Sequence, residues 1–346
     1  MTQAPALPEF PLREAHALVR DLMDPNPRIY WLDFGFHALV GWTALVLAVR
    51  APWFSAWQFG AWLVAALALY RSVIFVHELA HLKRGSFAWF RWVWNLGCGI
   101  PLMVPSFMYD GVHNDHHIRD TYGTAADGEY LPFARGSRAG LVGYVLLSFI
   151  LPWFLLLRFL LLAPLSWLIP PLKRLVWERA SSLSIDPAYR RGADTIRNDH
   201  LWWLQEILAF VYAFAAVAAI ALGVLPLKAV AVWYAVAVLM FILNSLRTLA
   251  AHAYRNRPDH KLDTTGQFLD SVNVPGHRFF TALWAPTGLR WHATHHLFMS
   301  LPYHNLHKAH ARLVAGLSDN SIYRQAERKG LFDALRRLWR ETPIRD

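Results

Sequence analysis

Four stretches of the chain are apolar over about the twenty residues that a bilayer core requires: residues 32–49, 57–76, 202–222 and 230–249. A tight Arg50-Ala51-Pro52 turn joins the first two, and Gly223-Val224-Leu225-Pro226 joins the last two. Each pair therefore predicts a helical hairpin that goes out and comes back. Residues 95–108 are apolar but broken by Gly97, Gly99, Pro101 and Pro105, which predicts a re-entrant or interfacial segment. Residues 140–169 are long enough to cross, yet Pro152, Arg158 and Pro164 interrupt them. The following stretch, 173–197, is rich in Lys and Arg and is expected to be cytoplasmic. If every histidine cluster faces one side, residues 140–169 must start and end on that side, so an in-plane hairpin is expected there.

The predicted fold is an all-α integral membrane protein of one domain, residues 1–346. It has four transmembrane helices in two hairpins, interfacial helices, and a cytoplasmic helical cap from residues 77–135, 173–200 and 252–346. Both termini are expected in the cytoplasm. The cap ends in an amphipathic stretch, Phe332 to Arg340. No repeat or low-complexity tract is visible.

Composition agrees. Hydrophobic residues make up 55% and charged residues 17%, against about 25% charged in soluble domains. The 17 tryptophans suit a protein with two lipid–water interfaces. The net charge of +10 fits basic cytoplasmic loops and a face able to dock an acidic redox partner. Nucleic-acid binding is not expected, because no binding motif accompanies the charge. The single cysteine, Cys98, excludes an internal disulfide, a CxxC pair and a four-cysteine iron–sulfur centre. Any electrons must come from a separate partner or a non-cysteine cofactor. The polar, proline-punctuated first thirty residues do not read as a signal peptide.

The chemistry lies in the histidines, of which there are 17. The second apolar stretch runs into His77-Glu78-Leu79-Ala80-His81, whose i, i+4 spacing puts both imidazoles on one helix face. His113-Asn114-Asp115-His116-His117 follows the broken segment, and His292-Ala293-Thr294-His295-His296 lies in the polar C-terminal region. His252 stands where the fourth stretch ends. Three imidazoles so close repel one another once protonated, so an HxxHH box costs something unless it binds metal. His77 to His81 also fits HExxH, the pattern of a zinc protease with Glu78 as base. Such an intramembrane protease needs one metal and has no use for two HxxHH boxes.

The three boxes, their order and their position relative to two hairpins resemble the membrane fatty acid desaturase superfamily. Leu297-Phe298 and Pro302-Tyr303-His304-Asn305-Leu306 look like that family's segment after its last box, and Ala250-Ala251-His252 resembles its isolated histidine. The likeness covers roughly residues 77–310. The HxxxH spacing of the first box sits nearer the acyl-lipid and bacterial branches than the animal acyl-CoA enzymes. The resemblance implies a dinuclear iron site, O2 as co-substrate, and nine ligands: His77, His81, His113, His116, His117, His252, His292, His295 and His296. Imidazole alone would accept several metals; iron also suits the reading because zinc has no redox chemistry.

Imidazole ligands usually donate their second N–H to a carboxylate or carbonyl. Glu78, Asp115, Asp127, Glu129 and Asp270 are within sequence reach, with Asp115 and Glu129 favoured. Asn244 and His304 are further supporting candidates. His16, His37, His200, His260 and His277 read as structural or surface residues. Aromatic residues at 87–94 and 284–291 either line an apolar substrate tunnel or anchor the interface. The expected activity is O2-dependent desaturation of a lipid acyl chain. A hydroxylase or ketolase of a lipid or carotenoid uses the same ligands and stands second. An external ferredoxin or cytochrome b5-like donor and a bacterial inner-membrane location complete the expectation.

Overall fold

The computed structural model describes residues 10–83, 86–87, 89–131, 136–192, 200–256 and 260–342. Among these residues the regular elements are helical, with isolated bridges such as His252–Ser271 in place of strands. In chain order, the helices that frame the site are α1 (Pro27–Arg50), α2 (Ala56–His81), α3 (Val112–His116), α4 (His200–Ala221), α5 (Leu227–Ala251), α6 (His292–Leu297), α7 (Tyr303–Gly316) and α8 (Leu331–Glu341). The chain divides into two compact units. The membrane unit is Pro27–Asn114 and Val142–Ser245; the polar unit is Met1–Asn26, Asp115–Leu141 and Leu246–Asp346.

In the membrane unit, α1 and α2 pack as a hairpin. Ser55 caps the start of α2 by accepting from the Gln58 N–H at 3.1 Å. Arg71 clamps Asp33 across the pair through two hydrogen bonds of 2.8 and 2.5 Å, which neutralises the two charges that the apolar stretches carry. An aromatic cluster of Tyr30, Phe34, Phe75 and Phe90 fills the space between them. Phe90 and Trp94 are fully buried packing residues of this unit, which favours neither reading offered for the aromatic stretch 87–94.

The broken segment folds back on itself. A π-helix covers Asn95–Gly99 and a 3-10 turn covers Ser106–Met108. The buried Asn95 ties the two, accepting from the Ser106 N–H at 2.8 Å and donating to the Ser106 hydroxyl at 3.0 Å. Gln205 of α4 accepts from the Phe107 N–H at 3.1 Å. Irregular backbone is tolerated at membrane depth only when protein partners satisfy it in this way.

Among the described residues, five helices are long and apolar enough to cross a bilayer. Four are α1, α2, α4 and α5, and they cover the expected spans. The fifth, Leu151–Leu168, falls where an in-plane hairpin was expected. Its prolines do not break it because Pro152 and Pro164 stand in the first turns of their helical pieces, where no N–H is needed. A π-helix, Arg158–Leu162, joins the pieces. Arg158 is 1% exposed and reaches the Ala180 carbonyl at 2.7 Å and Glu206 of α4 at 2.5 Å. Trp167 donates to the other Glu206 oxygen at 2.9 Å. Earlier in the segment, the Ser148 and Ser245 hydroxyls meet at 3.3 Å, while Trp153 stacks on Tyr234 with centroids 5.2 Å apart.

Breaking a buried ion pair on one side costs about 3–5 kcal/mol, whereas replacing both partners by apolar groups costs far less. Glu206→Ala is therefore expected to lower the thermal midpoint of the detergent-solubilised protein markedly. The double change Arg158→Met, Glu206→Met should recover most of that loss.

Candidate metal centre

Helix geometry and chain position prepare the imidazoles. In the polar unit, His252 emerges immediately after α5, and a backbone bridge to Ser271 holds it there. His292, His295 and His296 sit on α6, where i, i+4 spacing aligns His292 with His296. His116 ends the single turn α3, and His117 follows it.

Four of these side chains converge. His116 Nε2 lies 3.2 Å from His252 Nε2, His252 Nε2 2.9 Å from His292 Nε2, and His292 Nε2 3.1 Å from His296 Nε2. All four donor atoms lie within 4.8 Å of one another. His117 and His295 form a further pair in the same unit, Nε2 to Nε2 at 3.2 Å. Four lone pairs aimed at one point repel unless a cation sits among them. Spacings near 3 Å are the edges of a coordination polyhedron with metal–nitrogen bonds of about 2.1 Å. The residues therefore fit a metal ion.

The opposite ring nitrogens fix the tautomers. His116 Nδ1 donates to Asp127 Oδ2 at 2.8 Å. Asp127 is itself held by the Gly123 N–H at 2.8 Å and the Glu129 N–H at 2.9 Å. His252 Nδ1 donates to the Tyr122 hydroxyl at 2.9 Å, and Tyr122 passes its proton toward Asp270 Oδ2 at 3.1 Å. Tyr130 also donates to Asp270, at 2.7 Å. His116 and His252 therefore present unprotonated Nε2 atoms to the centre, as metal ligation requires.

The membrane unit carries a second group. His77 and His81 share one face at the end of α2, and His113 joins them with ring centroids 4.4 and 4.7 Å away. His81 Nε2 and His113 Nε2 are 2.7 Å apart. Tyr109 stacks on His113 and meets its Nδ1 at 3.0 Å. Glu78 lies 3.4 Å from His77 Nδ1 and accepts the Tyr30 hydroxyl at 2.5 Å.

Burial and charge set the protonation states. Burial, then the neighbouring His116, holds His252 well below the ordinary histidine range. Burial and the surrounding imidazoles do the same to His292. Burial would lower His116 as well, but the charge and hydrogen bond of Asp127, with Glu129 and Asp270 behind it, raise it instead.

The sequence-selected supporting residues fare differently. Asp127 and Asp270 sit in the network, and Glu129 acts through its backbone N–H on Asp127 and through its charge. Asp115 is half-buried at the third position of the box. Asn244 is half-buried on α5, two turns before His252. His304, on α7, accepts the Asn26 N–H at 3.1 Å. Asn273, Tyr323 and His310 brace the third box. Thr294 bonds Asn273 and the Tyr323 hydroxyl, and Tyr323 meets His310 Nδ1 at 2.9 Å. His310 stacks on Trp291 at 4.0 Å and is pushed down to about 4 by burial, so it is a neutral packing group. Tyr109, Tyr122 and Tyr30 carried no sequence signal beyond being tyrosines.

Comparison with known proteins adds three findings. Residues 51–327 match the family model described as fatty acid desaturase. A curated protein of Caulobacter vibrioides (strain NA1000 / CB15N), named ceramide hydroxylase, is 44% identical over 330 residues, covering 95% of this chain and 93% of its own. No solved structure matches.

Two predictions follow from the hydrogen-bonded shell. Removing an outer partner of a metal-bound histidine typically costs 10–100-fold in affinity. Asp127→Asn should weaken metal retention against a chelator by about tenfold or more, measured as metal per chain. Protons compete for the same nitrogens. His116, with its raised pKa, should protonate first, so metal content should fall on acidification, with the fall beginning above the ordinary histidine value of about 6.5.

Proposed function

The chain belongs to the fatty acid desaturase family, and from that premise we propose that it is an O2-dependent lipid hydroxylase, with a ceramide-like sphingolipid as its substrate class. Desaturation was the first expectation from the sequence. The observation that moves the reading to hydroxylation is the 44% identity, over nearly the whole of both chains, to a protein named ceramide hydroxylase. The ligand set does not separate the two reactions. Both begin by breaking an unactivated C–H bond, and the outcome depends on how the chain is held beside the site.

The nine histidines, including the His77–His81–His113 group and the His117–His295 pair, are proposed to hold two iron ions. Bound iron supplies O2 activation. The overall balance is R–H plus O2, two electrons and two protons, giving R–OH and water. The protein's own part is to keep nine imidazoles neutral and aimed. Asp127 and the Tyr122–Asp270 relay orient His116 and His252, Tyr109 orients His113, and burial favours the neutral form of His252 and His292. Glu78 is committed to Tyr30 and His77, which argues against a zinc protease using it as a free base.

Cys98 is the single cysteine, so a four-cysteine iron–sulfur centre within this chain is excluded, and an external donor, a ferredoxin or cytochrome b5-like protein, is proposed. The basic surplus favours an acidic one. A four-span topology with cytoplasmic termini in a bacterial inner membrane is also proposed. Ser148 meets Ser245, and Arg158 meets Glu206, near the His252 end of the α4–α5 hairpin. Trp153 meets Tyr234, about three turns before Ser245 on α5. That pattern supports a segment that dips in and returns.

The test is to express the protein in a bacterium supplied with ceramide, iron and a ferredoxin system, beside His117→Ala, and weigh the lipids. A His117-dependent gain of one oxygen is expected. A loss of two hydrogens would restore the desaturase.

A further inference from the structure

The C-terminal helix α8 has two apolar edges and uses only one of them internally. Ala334 and Leu338 are buried in the polar unit, with Leu331 half-buried beside them at the same helical spacing. The neighbouring edge carries Phe332, Leu335 and Trp339, also at i, i+3 and i+7. Phe332 is 79% exposed and Trp339 42% exposed. Next to this edge on the helical wheel stand Arg336 and Arg340, both exposed. Neither makes a hydrogen bond or ion pair among the described residues. The remaining charges are spoken for: Arg337 bonds Glu341 at 2.6 Å, and Arg255 bonds the same carboxylate at 2.9 Å. The ion-paired side holds the helix to the polar unit, and the unpaired side faces out.

A stripe of large apolar side chains bordered by free guanidiniums suits one environment, the boundary between acyl chains and anionic headgroups. Trp is favoured at that depth. Arg138 reinforces the link: it donates to the Trp339 carbonyl at 2.9 Å, lies 5.4 Å from its ring, and begins the apolar helix Arg138–Leu146. The far side of α8 matters too. Ala334, Arg337, Leu338 and Glu341 line a small cleft together with His252.

We infer that α8 is an interfacial anchor that inserts Phe332, Leu335 and Trp339 into an anionic lipid surface, with Arg336 and Arg340 on the headgroup phosphates. The helix then has lipid on one edge and the His252 cleft on the other. An acidic redox protein and a second copy of the chain are the competing occupants of this face.

Because Cys98 is buried, an introduced surface cysteine takes a fluorescent label selectively. The full-length protein carrying Phe332→Cys, or Gln325→Cys as an exposed polar reference, is labelled and placed in nanodiscs of phosphatidylcholine with or without phosphatidylglycerol. Brominated acyl chains are expected to quench the probe at 332 strongly and at 325 weakly, and iodide is expected to do the reverse. Adding Arg336→Gln and Arg340→Gln should reduce the lipid quenching by about twofold or more in anionic discs, since each basic residue near such a surface favours binding several-fold. Equal iodide access at both positions overturns the inference. So does shielding from iodide without lipid quenching, which assigns the face to a protein. Quenching unchanged by the arginine substitutions overturns the headgroup contact. None of these readouts depends on turnover, so the hydroxylase reading can fail without affecting them.

Discussion

Everything in this protein is arranged around the cost of burying neutral imidazoles with their lone pairs facing one another. In water each would find its own partner. Here His116, His252, His292 and His296 point their Nε2 atoms at a common centre, where only a cation relieves the repulsion. The price is met at the other ring nitrogen, where Asp127 and Tyr122 fix the tautomer. That requirement explains why carboxylates and tyrosines from distant parts of the chain are buried together. Asp270 would be a poor residue to bury alone. It is acceptable because Tyr122, Tyr130 and the Arg255 N–H all donate to it.

Membrane architecture supplies the positions. Helix α2 ends at His81 and α5 leads directly into His252, so the length of each apolar helix also sets where its ligands emerge. Short elements then do fine placement: the single turn α3 for His113 and His116, and α6 for the third box. The brace of Asn273, Thr294, Tyr323 and His310 behind α6 is polar and closed. It keeps the box rigid without competing for the nitrogens that face the centre.

Much of this was legible in the sequence. Four of the long apolar helices announced themselves by length and apolarity, and the boxes by spacing that puts imidazoles on one helix face. The broken stretch 95–108 was readable from its glycines and prolines. Residues 151–168 were harder, because a proline reads as a break unless one knows that it begins a helical piece. The supporting groups were largely hidden. Tyr122 and Asp270 are 148 residues apart and His116 and His252 136 apart, so no local pattern joins them. Asp127 was one of several carboxylates near a box, and only the fold shows that it meets His116. The choice between hydroxylation and desaturation was not written in the ligands at all, since both reactions use the same set.

The central claim is that these imidazoles hold a pair of redox metals. Metal analysis of the protein purified from iron-supplied cells, joined to Mössbauer spectroscopy, addresses it directly. The account predicts about two irons per chain in a nitrogen-rich environment. One zinc per chain, or iron that remains when His116, His252 and His292 are all replaced, would contradict it.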